Sequence, residues 1–150
     1  MSAEGQVLIG RMGLTAITAA GWRPRAIGGL TMGADPVAYA IAAASWGTDL
    51  VIDAFSVRKE AKAHGTGQQI EGNLRAGDEV VVVEDVITSG GSAQKAIAAV
   101  EGAGGRVVGV LAVVDREQGG SEALAGDGRQ VVVLTTASEL GLKSMDYTGA

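Results

Sequence analysis

The sequence predicts an α/β fold in which a doubly wound, mainly parallel sheet is flanked by helices. Three observations predict it. Residues Val80 to Val83 are four consecutive valines, too apolar and too β-branched for a surface strand, as expected of a central strand buried on both faces. Strand-like runs alternate with helix-compatible runs, the pattern of parallel βαβ units. The punctuation is glycine, with 24 glycines against 2 prolines, which gives Gly turns between regular elements. Ligands of such sheets bind outside the carboxyl ends of the strands.

Each element follows from local pattern. From about Val7 to Ala20 the apolar spacing suits an amphipathic helix, weakened by Gly10 and Gly13. Ala26-Ile27-Gly28-Gly29 reads as a short strand, after which Asp35 can cap a helix that has Pro36 in its first turn and runs to about Trp46. Leu50 to Val57 reads as a strand. Ser56 to Gly72 has no apolar period and is rich in Lys, Arg, Gly and Gln, so a mobile loop or hairpin is expected. The Val80 strand comes next, with Glu84 and Asp85 where it should emerge from the sheet, and a helix from Ser92. Gly102-Ala103-Gly104-Gly105 stops that helix. A strand over Arg106–Asp115, a short helix near Ser121–Ala125, a strand over Gln130–Thr135 and a last short helix over Ala137–Leu142 complete the pattern. The tail from about 143 to 150 is expected to be loose. With no repeat and no linker, residues 1–150 read as one domain, long enough to bury roughly 68–70% of the unfolded surface.

Composition excludes several classes. Hydrophobic residues make up 47% and aromatics only 3%, so the core is built from Val, Ile, Leu and Ala. There is no cysteine, hence no disulfide framework and no thiolate metal site. The formal charge of −5 argues against general nucleic-acid binding, which wants a basic face. No run has signal-peptide anatomy or transmembrane length, so a cytoplasmic protein free of the membrane is expected.

The chemistry concentrates in Val80 to Ser92, VVVVEDVITSGGS. Backbone N–H groups of the Thr88-Ser89-Gly90-Gly91-Ser92 turn, backed by a helix N-terminus, suit a phosphate. An acidic pair beside such a cradle fits a phosphorylated sugar, with carboxylates for hydroxyls and amides for the phosphate. The bland alternative is a strand, loop and helix with an acidic cap and no ligand; the pair, the turn and their position together weigh against it. No G-x-x-x-x-G-K-[ST] occurs, and Gly102 to Gly105 lies between a helix and a strand, the wrong order for a dinucleotide fingerprint.

Three further segments fall at strand ends. Gly28 to Pro36, GGLTMGADP, permits close backbone approach and leads into a helix start; taken alone, it also reads as a turn serving geometry only. Arg58, Lys59 and Lys62 with Glu60 form a basic island beside the single histidine, His64. That island is either a solvated face or, given the glycines that follow, a cationic loop able to fold over a polyanion and shed water. Arg116, in Val113 to Gly120, can pair with Asp115 or Glu117, or its planar guanidinium can meet a carboxylate or imide oxygens.

VVVVEDVITSGGS closely resembles the phosphoribosyl-diphosphate (PRPP) motif of the type I phosphoribosyltransferases. GGLTMGADP, VRKEAKAHG and VDREQGG resemble, in the same order, the pyrophosphate loop, catalytic loop and base-binding turn of the orotate phosphoribosyltransferases. The resemblance implies transfer of the 5-phosphoribosyl group of PRPP to orotate, giving orotidine 5′-monophosphate and diphosphate, in de novo pyrimidine (UMP) biosynthesis. It implies that Glu84 and Asp85 serve the ribose hydroxyls, and that Val86, Ile87, Thr88, Ser89, Gly90, Gly91 and Ser92 hold the 5′-phosphate. Leu30, Thr31, Met32 and Gly33 form the pyrophosphate loop. Lys62 is the principal catalytic lysine, Arg58 and Lys59 contact the diphosphate, and His64 supports the loop; Arg116 binds the base, with Thr88 near it. Mg2+ is implied, held mainly by substrate oxygens rather than protein side chains, as is a homodimer sharing the catalytic loop across subunits. Because neighbouring strand residues point to opposite faces, Glu84 and Asp85 serve one ligand only if the chain leaves β geometry there. Members of the family carry a further N-terminal segment with a Ser-Gly/Tyr-rich stretch and a lysine near the base. Here Met1 falls almost directly before the first matching helix, so part of the hood over orotate is expected to be absent. Two other classes stay open: a non-catalytic PRPP- or nucleotide-binding regulator on the same fold, and a phosphoribosyltransferase for another base.

Overall fold

The computed structural model describes residues 1–60 and 69–142. Its elements are α1 (Ala3–Ala19), β1 (Ala26–Leu30), α2 (Ala34–Ser45), β2 (Asp53–Val57), β3 (Ile70–Gly72), β4 (Glu79–Ile87), α3 (Gly91–Gly102), β5 (Arg106–Asp115), α4 (Gly120–Gly126) and β6 (Val131–Thr136). The strands form one sheet in the order β3-β2-β1-β4-β5-β6. Every pairing is parallel except that of the short edge strand β3, which runs antiparallel to β2. Strand order reverses between β1 and β4, so the crevice at their carboxyl ends is the topological switch point.

The valine run is buried on both faces, as expected. Val80 and Val82 pack with Ala93, Ala96, Ile97 and Val100 of α3, whereas Val81 and Val83 pack with Ile17 of α1 and Val37, Ala38 and Ile41 of α2. β-Branched side chains alternating across the pleat thus serve two cores from one strand.

Gly10 and Gly13 are the reason α1 can lie so close to α2. A Cβ at Gly10 would fall 2.4 Å from the Ala40 carbonyl oxygen, and one at Gly13 would fall 2.4 Å from Ile41 Cδ1. α1 also begins earlier than expected, at Ala3, because the Ser2 hydroxyl caps it by accepting from Gly5 N at 3.0 Å. α3 ends where the glycine cluster predicts. Gly104 has φ 85°, Gly105 N bonds Val100 O, and Gly104 N bonds Glu101 O, which is a Schellman stop.

Four expectations need correction. Asp35 does not cap α2: Gly33 stands at the N-cap with no side-chain bond, and the Asp35 carboxylate accepts from Ser56 Oγ instead. β2 begins at Asp53 rather than Leu50, because Ser45 Oγ and Thr48 Oγ1 take the Ile52 and Leu50 N–H groups that a ladder would need. β4 does not end before Glu84; its pairing with β5 continues through Glu84, Val86 and Ile87. No helix forms over 137–142. Thr136 and Glu139 make a reciprocal capping box, but Gly141, with φ 69°, ends the turn it starts. Of the mobile loop or hairpin expected over 56–72, the two described ends pair antiparallel, Ser56 with Glu71 and Val57 with Ile70, while residues 61–68 and the tail 143–150 lie outside the described residues. Among the described residues no helix is long and apolar enough to cross a membrane.

Candidate active site

At the carboxyl end of β4 the chain turns through Thr88, Ser89 and Gly90 into α3. Gly90 sits at the N-cap with φ 81° and ψ 0° and has no side chain to cap the helix, so the first N–H groups of α3 remain available to an anion. Glu84 and residues Val86 to Ser92 line a small cavity of about 50 Å³. Gly120, opening α4, buttresses this cradle from below. A Cβ there would lie 2.4 Å from the Thr88 carbonyl oxygen and 2.8 Å from Gly90 N.

The two carboxylates divide between the faces of β4. Glu84 follows the parity of Val80 and Val82 and belongs to the cradle under α3. It is 6% exposed, and its Oε1 has no hydrogen-bond partner among the described residues. Burial, and secondarily the neighbouring Asp85, push its carboxyl up to about 7. Asp85 is exposed on the opposite face, where a Cβ on Gly33 would meet its Oδ2 at 2.6 Å. Its Oδ1 accepts from Val86 N at 2.9 Å. Strict alternation breaks just after Glu84: the register with β5 skips Asp85, and Ile87 lies in the same core as Val80 and Val82, which is the departure that lets both carboxylates serve one ligand. The carboxylates therefore flank the strand end, one toward the α3 turn and one toward the β1–α2 turn.

The β1–α2 turn holds Leu30, Thr31, Met32 and Gly33, with a cis peptide between Thr31 and Met32. Glycine lets β1 seat it closely, since a Cβ on Gly29 would fall 2.1 Å from the Val83 carbonyl oxygen. The turn is fastened to β2 as well. Thr31 N donates to Val57 O at 2.8 Å, and Ser56 Oγ donates to Asp35 Oδ1 at 2.8 Å. The Tyr39 hydroxyl lies 2.8 Å from Ser56 Oγ, and since the serine proton is spent on Asp35, Tyr39 is the donor. Immediately beyond, Arg58 places Nη2 2.7 Å and Nε 2.9 Å from Glu71 Oε1, at the start of the basic segment. Lys59 is exposed; Lys62 and His64 lie outside the described residues.

The β5–α4 turn carries Arg116, whose N–H donates to Ile87 O at 3.0 Å, so this turn is attached to the end of β4 beside the cradle. The Asp115 carboxylate accepts from Glu117 N at 2.7 Å and from Ser121 Oγ at 2.5 Å. The Glu117 carboxylate accepts from Ser138 N at 2.9 Å and Ser138 Oγ at 2.5 Å.

The fold thus gathers the described members of all four motif segments at one edge of the sheet. Ser56, Tyr39, Glu71 and Ser138 were not among the expected site residues. Their partners are distant in sequence, and no local pattern announces them. A roomier cleft of about 450 Å³ lies at the opposite edge, around Trp22, Arg106, Arg129 and Gln130. Its polar groups satisfy one another: Arg106 pairs with Glu79, Arg129 with Glu101, and Trp22 Nε1 donates to Gln130 Oε1. Among the described residues no group of three or more His, Asp or Glu is placed to hold a metal ion.

Residues 8–134 match the phosphoribosyl transferase domain family. The chain is 47% identical over 144 residues to the orotate phosphoribosyltransferase of Rhodopirellula baltica, covering 93% of this chain and 75% of that one. The crystal structure of Mycobacterium tuberculosis orotate phosphoribosyltransferase with inorganic phosphate superposes with a TM-score of 0.83 at 42% identity, covering 95% of this chain and 76% of that chain. The same enzyme in complex with PRPP gives 0.77 at 43% identity, covering 91% and 75%. By the length and level of these matches, and by the four segments at one sheet edge, the chain belongs to the phosphoribosyltransferase family and within it to the orotate phosphoribosyltransferases.

Proposed function

We propose that the protein transfers the 5-phosphoribosyl group of PRPP to orotate, releasing diphosphate and forming orotidine 5′-monophosphate. The observation that carries this reading is Glu84. A buried carboxylate with an unpartnered oxygen, lining a cradle headed by an uncapped helix, calls for a ligand offering hydroxyls beside a phosphate.

The 5′-phosphate occupies the turn from Val86 to Ser92, and the ribose lies over the end of β4 with Glu84 and Asp85 at its two sides. The diphosphate extends toward Leu30, Thr31, Met32 and Gly33. As the C1–O bond breaks, positive charge develops on the ribose and negative charge on the diphosphate, while orotate N1 attacks the opposite face of C1. The protein's work is positioning and stabilisation of a polyanionic leaving group. Arg58, Lys59 and Lys62 supply the cationic side, His64 supports their loop, and in a homodimer that loop serves the neighbouring subunit. Arg116 meets orotate with parallel hydrogen bonds, with Thr88 nearby.

Magnesium fits the donor set as a partner of the substrate. Carboxylate oxygens are hard ligands, but two that face opposite sides of a strand cannot fill an octahedral shell, which leaves most positions to diphosphate and ribose oxygens. Bound there, the ion would neutralise charge on the diphosphate. The cytoplasm is the compartment we assign.

The deciding experiment follows orotate consumption with PRPP and magnesium, alongside adenine, hypoxanthine and uracil. Turnover on orotate alone is the expected result. PRPP binding without turnover on any base would replace this reading with a regulator, and turnover on another base would reassign the specificity.

A further inference from the structure

Glu117 has φ 57° and is the one non-glycine residue with positive φ among the described residues. A glutamate gains nothing from the left-handed region that glycine would not have at lower steric cost, and two glycines follow it within three positions. A side chain retained in such a conformation points to a task for that side chain, and residues held this way cluster where a turn must be over-determined.

The contacts show what is over-determined. Asp115 forms an Asx turn onto Glu117 N and takes the Ser121 hydroxyl on its other oxygen. Glu117 then reaches away from β5 and grips Ser138 through both its N–H and its hydroxyl. Ser138 is itself fixed, because the Thr136–Glu139 capping box sets the turn it sits in and Ala137 N bonds Asp115 O. Between these anchors stands Arg116, its own N–H on Ile87 O. A strut therefore runs from the end of β6 through Ser138 and Glu117 to Arg116 and on to β4. At the surface each bond exchanges with water, so the effect lies in the backbone that several bonds fix together.

We infer that Glu117 is a positioning residue for base recognition, holding the backbone of Arg116 in place through its grip on Ser138. This rests on Arg116 being the orotate-binding arginine. The consequence is a contribution to specificity from the turn after β6, a segment outside every phosphate-handling motif.

Steady-state kinetics on Glu117→Gly, Glu117→Gln, Arg116→Ala and the Arg116→Ala/Glu117→Gly double variant test it. Glycine relieves the backbone and removes the grip. It is expected to raise the orotate KM about tenfold while leaving the PRPP KM and the melting temperature unchanged. Glutamine keeps an acceptor oxygen and should restore most of the affinity. In the Arg116→Ala background Glu117→Gly should add nothing, because the two act as one unit. An unchanged orotate KM in Glu117→Gly, with a raised one in Arg116→Ala, overturns the inference alone. An unchanged orotate KM in Arg116→Ala removes the base-binding reading and the inference together. Equal rises in both KM values with a lowered melting temperature, or additive effects in the double variant, assign Glu117 to folding and also overturn it.

Discussion

Gly33 and Asp85 meet across the switch point between β1 and β4, so closely that a Cβ on the glycine would lie 2.6 Å from Asp85 Oδ2 and 2.8 Å from its Cγ. The β1–α2 turn and the acidic end of β4 are thus one surface, on the side of the strand away from Glu84. The glycine is required for proximity and not for backbone freedom, since its φ of −60° is open to any residue.

Gly33→Ala separates function from folding on that basis. The three atoms nearest the added methyl all belong to the Asp85 carboxyl group, which can swing aside, so the fold should tolerate it. The displaced Asp85 would lose its proposed place beside the ribose and diphosphate, and kcat/KM for PRPP should fall roughly tenfold. Gly120→Ala provides the contrast. Its methyl meets the Thr88 carbonyl and Gly90 N, backbone atoms that cannot turn away, and should cost roughly 1–3 kcal/mol of stability. Thermal melts of both variants beside PRPP kinetics check this; a Gly33→Ala protein that melts early and binds PRPP normally would reverse the assignment.

Lys62 and Arg116 should fail in different ways. In the proposed reaction Lys62 acts on a leaving group whose charge appears as the bond breaks, so Lys62→Ala should lower kcat by roughly 10²–10³, the scale for losing one preorganised electrostatic donor. In the same proposal Arg116 binds the base before and during the reaction. Its alanine variant should show a milder loss, concentrated in the orotate KM and leaving the PRPP KM nearly unchanged. Near-normal turnover without Lys62, or an unmoved orotate KM without Arg116, would remove the corresponding role.

The elements that were legible are those whose signal is local. Four valines placed β4 in the sheet centre because β-branched bulk suits a strand covered on both faces, and Gly104 marked the end of α3 because the Schellman stop needs its positive φ. The placement of the four segments was legible for the same reason: the described part of each follows directly on a strand, β1, β2, β4 or β5. The errors fall where a side chain bonds something distant. Asp35 resembles a helix cap until α2 is laid on β2 and Ser56, twenty-one positions away, claims its carboxylate. Glu84 resembles the end of a strand because burying a carboxylate is costly, yet β4 carries it inward to the cavity beside the α3 turn. The grip of Glu117 on Ser138 spans another twenty-one positions, and only the parallel placement of β5 and β6 brings the two turns together.

Glu84 should leave a signature in the pH dependence of both stability and turnover. Its carboxyl titrates near 7 in the folded protein because burial and, less strongly, Asp85 disfavour the anion. An exposed glutamate in the unfolded chain titrates at about 4.3. Below that value both states hold the proton and Glu84 has no effect on folding. Between there and about 7 the unfolded chain has released its proton and the folded protein has not, so the unfolded state binds fewer protons and stability falls as pH rises. Above about 7 both are ionised and the penalty is constant, on the order of 3 kcal/mol. Glu84→Gln removes this component, so the variant should gain on the parent protein across that window and hold a steady advantage above it. In turnover the order is reversed. In the proposed reaction the ribose hydroxyls donate to an ionised carboxylate, so kcat/KM for PRPP should rise with pH through about 7, and that inflection should vanish in the glutamine variant together with much of the activity. Denaturant melts from pH 4 to 9, paired with PRPP kinetics over the same range, read both effects. Stability curves that run parallel for the two proteins would show that Glu84 does not hold its proton in the folded state.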